Sequence, residues 1–324
     1  MASLETHRAL LEQLSQPGQP LGPDSPYRTV QNPQFFKGAR HVTPARRQLH
    51  RALIEGVLAQ GGEENQALII SGPPGAGKST VRRQELGDIS LRFATIDADM
   101  FKEELINASL REGAFEEVFY SPEIRQLQQE GHIFHPFEFA SLVHDESSML
   151  VKQAFNEAYT SGTNIILDGV GASERTLNSR LERLTAAGYN VSIIDVECPR
   201  EVSEASIQQR WEHGRTEALN NNTNSSLGGR WVPSAVLEKV FPNADGPSAP
   251  EVAHQNAAHA YRVVSTYQLW RRSSPTVAHN LEQDLVRAHH GATLIDKDAA
   301  QALNTAFGAR PRPHQRSTDT GQGL

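Results

Sequence analysis

Short apolar runs alternate along this chain with stretches whose apolar positions recur every three or four residues. The runs ALII (67–70), FATI (93–96), NIIL (164–167), VSIIDV (191–196) and TLI (293–295) read as strands. Most are apolar on both faces, as strands of a parallel sheet covered on both sides must be. Between them, SMLVKQAFNEAYTSG and SERTLNSRLERLTAAG carry apolar residues at helical spacing and stop at Gly162 and Gly188. Upstream, Thr43 and Pro44 open a helix that sets Leu49, Ala52, Leu53, Val57 and Leu58 on one face and ends at Gly61-Gly62. Alternating β and α predicts a doubly wound α/β fold around a mainly parallel, five-stranded sheet.

Three segments fall outside that rhythm. Residues 15–34 repeat Pro and Gly, so residues 1–42 read as an irregular leader. The polar, Gly-containing stretch 220–229 reads as a mobile loop. The tail 308–324 has too few apolar residues to pack and reads as disordered, which leaves 43–307 as one domain with helical insertions.

Composition narrows the function classes. A net charge of −7 and a pI near 6.0 argue against a general nucleic-acid or membrane-surface binder. The one cysteine, Cys198, allows no internal disulfide, and the N-terminal MASLETHRALLEQL lacks the apolar core of a signal peptide. No apolar run approaches the ~20 residues of a membrane helix. A soluble cytoplasmic protein is the expectation.

The candidate chemistry sits at strand ends. SGPPGAGKST (71–80) completes the pattern G-x-x-x-x-G-K-[ST] between a strand and a helix. In that pattern the loop of Gly72, Pro73, Pro74, Gly75, Ala76 and Gly77 wraps the phosphates, its glycines letting backbone N–H groups converge on phosphate oxygens, and Lys78 meets the β- and γ-phosphates. Ser79 takes Mg²⁺, and Thr80 completes the nucleotide-binding stretch. ATP or GTP is the implied ligand. Asp99, in IDADMFK, lies just past the next strand, where a carboxylate can take the proton of an attacking hydroxyl. Asp97 reads as a helix cap. Asp168 ends the strand NIILD, near Mg²⁺ or a substrate hydroxyl. Arg210 and Arg230 offer positive charge from a lid, whereas Arg215 reads as a surface charge and Trp211 and Trp231 as packing residues. His254 and His259 fall on different faces of a helix and read as solvated, not as metal ligands.

Together GPPGAGKST, IDADMFK, LVHDESS, NIILDGVG, the arginine in IQQRW and GGRWVP resemble the zeta toxin family of toxin–antitoxin systems. The resemblance runs from about residue 67 to about residue 235. It implies a P-loop kinase-like three-layer fold and ATP-dependent phosphorylation of a nucleotide sugar, typically UDP-N-acetylglucosamine, on a sugar hydroxyl. It makes Asp99 the catalytic base, Arg210 and Arg230 the clamp on the transferring phosphate, and Lys78 and Ser79 the holders of nucleotide and magnesium. His144, Ser148 and Asp168 would line the acceptor pocket, and a small antitoxin would be the partner. Two departures stand out. Asp168 replaces the family's usual glutamate, and Val170 and Ala172 stand where the pattern often offers Thr and Arg. The aromatic stretch HIFHPFEF (132–139) points the same way, to a remodelled acceptor side. Two other readings therefore stay open: a kinase for a different small acceptor such as an antibiotic, and a nucleotide-binding regulatory module with weak ATPase activity.

Overall fold

The computed structural model describes residues 3–38, 41–221, 227–243, 246–289 and 291–308. The chain opens with α1 (Leu4–Leu14), a small ribbon of β1 (Phe36–Lys37) and β2 (His41–Val42), and α2 (Pro44–Leu58). Strand β3 (Gln66–Ser71) leads into α3 (Lys78–Leu86), and β4 (Ala94–Asp97) into α4 (Ala98–Arg111). Helices α5 (Phe115–Phe119), α6 (Pro122–Gln129) and α7 (His144–Ser161) precede β5 (Ile165–Asp168), and α8 (Glu174–Ala186) precedes β6 (Asn190–Glu197). The long crossover of α9 (Arg200–Asn221), α10 (Ser234–Val240) and α11 (Ala249–Ala260) reaches β7 (Val264–Arg271). Strands β8 (Asn280–Arg287) and β9 (Leu294–Asp296) and helix α12 (Lys297–Gly308) follow.

The main sheet has seven strands in the order β4-β5-β3-β6-β7-β8-β9, not the five expected. Strands β4 to β7 pair in parallel, and β8 and β9 continue antiparallel. The strands β7 and β8 escape a search for apolar runs for a physical reason. NLEQDLVR lies at the half-exposed end of the sheet, where polar side chains cost little. In the central strands the two-residue period divides the core between the faces. Ala67, Ile69, Ile96, Leu167 and Ile193 face one layer, while Leu68, Ile70, Ile166, Ile194 and Val196 face the other with Val81.

The N-terminal leader is not irregular throughout. Ser3 caps α1 by accepting the Thr6 N–H, and Leu11, Leu14 and Leu21 are buried in the main core. The aromatic stretch 132–139 is also core: Phe139 is fully buried against Phe115, Phe119 and Tyr120, with centroids 5.6, 6.4 and 5.3 Å away. Beside it, buried Glu138 accepts from His7 Nε2 (3.2 Å), Trp211 Nε1 (3.1 Å) and Arg215 Nη1 (2.9 Å). Arg215 is therefore a buried ion-pair partner, not a surface charge, while Trp211 packs as expected with no exposure. His254 is likewise buried, with Nδ1 donating to Pro250 O, whereas His259 is exposed. The tail expected to be disordered lies outside the described residues beyond Gly308, as do residues 222–226 of the expected mobile loop. Among the described residues no helix is long and apolar enough to cross a membrane.

Candidate active site

The loop 72–77 leaves β3 between β5 and β6 and enters α3 directly. A Cβ on Gly72, whose φ is +136°, would stand 1.9 Å from Val196 O on β6, so only glycine lets the loop pass that strand. Gly77 caps α3 at φ +97° without any side-chain bond, leaving the first N–H groups of the helix open to an anion. Lys78 Nζ donates to Gly72 O (2.9 Å) and Pro73 O (3.0 Å). Burial lowers its pKa against the pull of Asp168, Glu197 and Asp97. Ser79 and Thr80 are exposed on the first turn of α3.

Strand register brings the candidate carboxylates together. Asp97 lies opposite Asp168 in the β4–β5 pairing, so both end their strands at the same edge of the sheet. Burial and then the neighbouring Asp168 raise the Asp97 carboxyl to about 6. Burial also raises Asp168, while Lys78 and Arg82 hold it back, the latter at 3.3 Å. Asp97 caps α4 as expected, accepting the Asp99 N–H at 2.8 Å. Asp99 itself pairs with Lys102 (3.1 Å) and with Arg230. Burial brings Lys102 down to about 8 and Arg230 to about 10, each against the attraction of Asp97. Arg210, on α9, is near enough for its charge to act on Asp97 and Lys78. Lys78, Asp97, Asp99, Asp168, Arg210 and Arg230 thus form one group.

The segment that carries Arg230 is docked. Phe137 N–H donates to Leu227 O (2.8 Å), and Trp231 Nε1 donates to Ser15 Oγ (3.0 Å) on the N-terminal segment. The HDESS run divides in two. His144 stands within electrostatic reach of Lys102 and so borders the group. Ser148 is exposed on α7, and no hydrogen bond or ion pair ties it to the site among the described residues. Glu146 is structural: burial alone would raise its pKa, but His50 (2.6 Å) and Arg46 (2.6 Å) hold it down to about 2. Two cations in the site were missed by the motif reading. Lys102 follows Asp99 by three residues and Arg82 follows Lys78 by four, spacings that place each pair on one helix face.

The donors suit magnesium. Mg²⁺ keeps several waters and takes one or two carboxylates with substrate phosphates. Asp97 and Asp168, half-buried and opposite one another at the ends of paired strands, fit that demand. Among the described residues no three His, Cys, Asp or Glu side chains form a ready-made metal cage.

The zeta toxin family model matches residues 115–284, more than half of the chain. The chain belongs to the zeta toxin family. The matched span contains His144, Ser148, Asp168, Arg210 and Arg230, whereas Lys78 and Asp99 precede it. No curated protein matches. Among solved structures, the AvrRxo1-ORF1:-ORF2 complex with ATP is 14% identical with a TM-score of 0.55, over 85% of this chain and 76% of that one. The same complex with sulphate ions is 15% identical with a TM-score of 0.53, over 84% and 75%. The PezAT toxin–antitoxin system of Streptococcus pneumoniae gives 14% identity and a TM-score of 0.46, over 82% and 89%. The AvrRxo1 matches place this zeta toxin family member's fold beside those complexes.

Proposed function

We propose that this chain is an ATP-dependent kinase that phosphorylates a hydroxyl of a nucleotide sugar of the UDP-N-acetylglucosamine type, acting as the toxin of a toxin–antitoxin pair with a small antitoxin as partner. The observation that carries the reading is the convergence of Lys78, Lys102, Arg210 and Arg230 on Asp97, Asp99 and Asp168 in front of a P-loop. A structure of similar fold was solved with ATP, which supports the choice of nucleotide.

In this mechanism the N–H groups of Gly75 and Gly77 and the Lys78 ammonium hold the β- and γ-phosphates. Ser79, with Asp97 and Asp168, would hold Mg²⁺, which when bound neutralises phosphate charge. Asp99 is masked at rest by Arg230 and Lys102. Arg230 turns from Asp99 to the γ-phosphate, Arg210 joins it, and the freed Asp99 carboxylate accepts the acceptor's hydroxyl proton. The acceptor oxygen bonds to the γ-phosphorus as the bond to the β–γ bridging oxygen breaks, and ADP leaves. Masking the base until phosphate arrives suits an enzyme that must not waste ATP on water.

Val170 and Ala172 favour a second reading of the acceptor alone. A pocket that lacks a hydroxyl and a guanidinium at those positions recognises a charged sugar nucleotide less strongly, so another small acceptor competes. Incubating the protein with ATP, Mg²⁺ and separate candidates, then searching by mass spectrometry for a product heavier by one phosphoryl group, distinguishes them. A phosphorylated UDP-sugar supports the first reading. A phosphorylated product from another acceptor supports the second, and none from any candidate counts against both.

A further inference from the structure

Three successive carbonyls of the P-loop are gripped from outside it. Ser203 Oγ on α9 donates to Pro74 O at 2.6 Å, Arg272 Nη2 donates to Gly75 O, and His279 Nε2 donates to Ala76 O at 2.7 Å. Arg272 and His279 lie at the two ends of the connection between β7 and β8. Arg272 is itself fixed: its N–H donates to Glu197 O (3.1 Å), Nη2 also to Ser206 Oγ (2.9 Å), and Nη1 to Pro275 O (3.2 Å). The His279 ring abuts the end of the loop, where a Cβ on Gly77 would stand 2.6 Å from it.

The C=O and N–H of a trans peptide point in opposite directions, so a carbonyl pinned outward aims the following N–H away from the pin. Among the described residues every peptide bond is trans. The pins on Pro74 O and Ala76 O therefore orient the N–H groups of Gly75 and Gly77, neither of which finds a backbone acceptor among the described residues. The Ala76 N–H instead closes on Pro73 O at 3.2 Å and braces the turn. An anion is bound best by N–H groups aimed before it arrives, because no reorientation is then charged against binding. We propose that Ser203, Arg272 and His279 are positioning residues that hold the phosphate cradle ready for a nucleoside triphosphate, an inference that rests on the nucleotide reading above.

The test is the affinity for methylanthraniloyl-ATP, followed by its fluorescence, with thermal melting of each variant alongside. His279→Ala and Arg272→Ala should each raise Kd about three- to tenfold, the loss of roughly one hydrogen bond. His279→Gln, whose amide can still donate to Ala76 O, should stay within about twofold of wild type, a rescue that loss of bulk packing would not produce. Ser203→Ala removes a single hydroxyl and gives the same reading should Arg272→Ala melt early. Lys78→Ala marks the nucleotide site. Wild-type affinity in His279→Ala, Arg272→Ala and Ser203→Ala, with binding lost in Lys78→Ala, would overturn the proposal and leave the nucleotide reading standing. No binding by the wild type would remove both.

Discussion

Two groups of carboxylates sit at the same end of the sheet and differ in how far cations offset the effect of burial. Asp97, Asp99 and Asp168, at the ends of β4 and β5, are met by Lys78, Lys102, Arg82 and Arg230. Asp195 and Glu197, at the end of β6, are 0% and 1% exposed, and among the described residues none of their four side-chain oxygens has a hydrogen-bond partner. The hydroxyl of Tyr267, beside them, is also unpartnered. Arg271 reaches this second group through Glu251 at 2.7 Å, but divides itself with Glu282. Burial, then the neighbouring Asp195, pushes Glu197 up to about 10, and burial pushes Asp195 up as well. In the first group burial raises Asp97 only to about 6, with Arg230, Lys78 and Lys102 holding it down, and on the proposed reading a cation there exchanges a carboxylate partner for a phosphate. The second relieves its charge by keeping protons, which suits a support under the P-loop and not a site of transfer. Glu146 is a third solution, buried yet ionised by Arg46 and His50.

The largest effects should come from the cation-rich group. Lys78→Ala and Asp99→Ala should each abolish phosphoryl transfer in a coupled ADP assay, and Asp99→Ala should still bind methylanthraniloyl-ATP. Arg230→Ala should lower kcat by about 10³-fold, as loss of such an arginine does elsewhere. Wild-type turnover in that variant would reduce the Asp99–Arg230 pair to a surface contact. Arg46→Ala should leave transfer untouched yet destabilise the fold by about 3 kcal/mol in urea unfolding, because Glu146 would lose the guanidinium that donates to both of its oxygens in the core.

The smallest effect is expected at Glu197. A carboxyl whose pKa is higher folded than unfolded holds a proton that the unfolded chain has released. The stability this proton contributes is whole below 4.5, the ordinary glutamate value, and is lost as pH rises toward about 10. Glu197→Gln holds no titrating proton, so it should melt higher than wild type by a few degrees at neutral pH. The gap should widen between about pH 6 and about pH 9. A constant gap would mean that Glu197 is ionised in the folded chain and that the two groups do not differ as described.

What was legible in the sequence follows the physics of each element. The central strands had to be apolar on both faces, so they announced themselves, and the P-loop had to be Gly-rich because Val196 O crowds Gly72. Asp99 and Arg230 could be named from motif and resemblance, but their pairing could not, since 131 residues separate them in the chain. Strands β7 and β8 were hidden by polar residues toward the sheet's exposed end, and with them the donors Arg272 and His279. Arg215 and His254 were misread because a lone charged residue on a helix gives no sign of a buried partner; Glu138 lies 77 positions from Arg215.

On the proposed reading this site passes phosphate to a hydroxyl and not to water, with Asp99 as the base. The most direct measurement follows label from γ-phosphate-labelled ATP in the presence of UDP-N-acetylglucosamine, for the wild type and for Asp99→Ala. Label is expected in the sugar nucleotide with the wild type and not with the variant. Label released only as inorganic phosphate, at the same rate in both proteins, would contradict that reading.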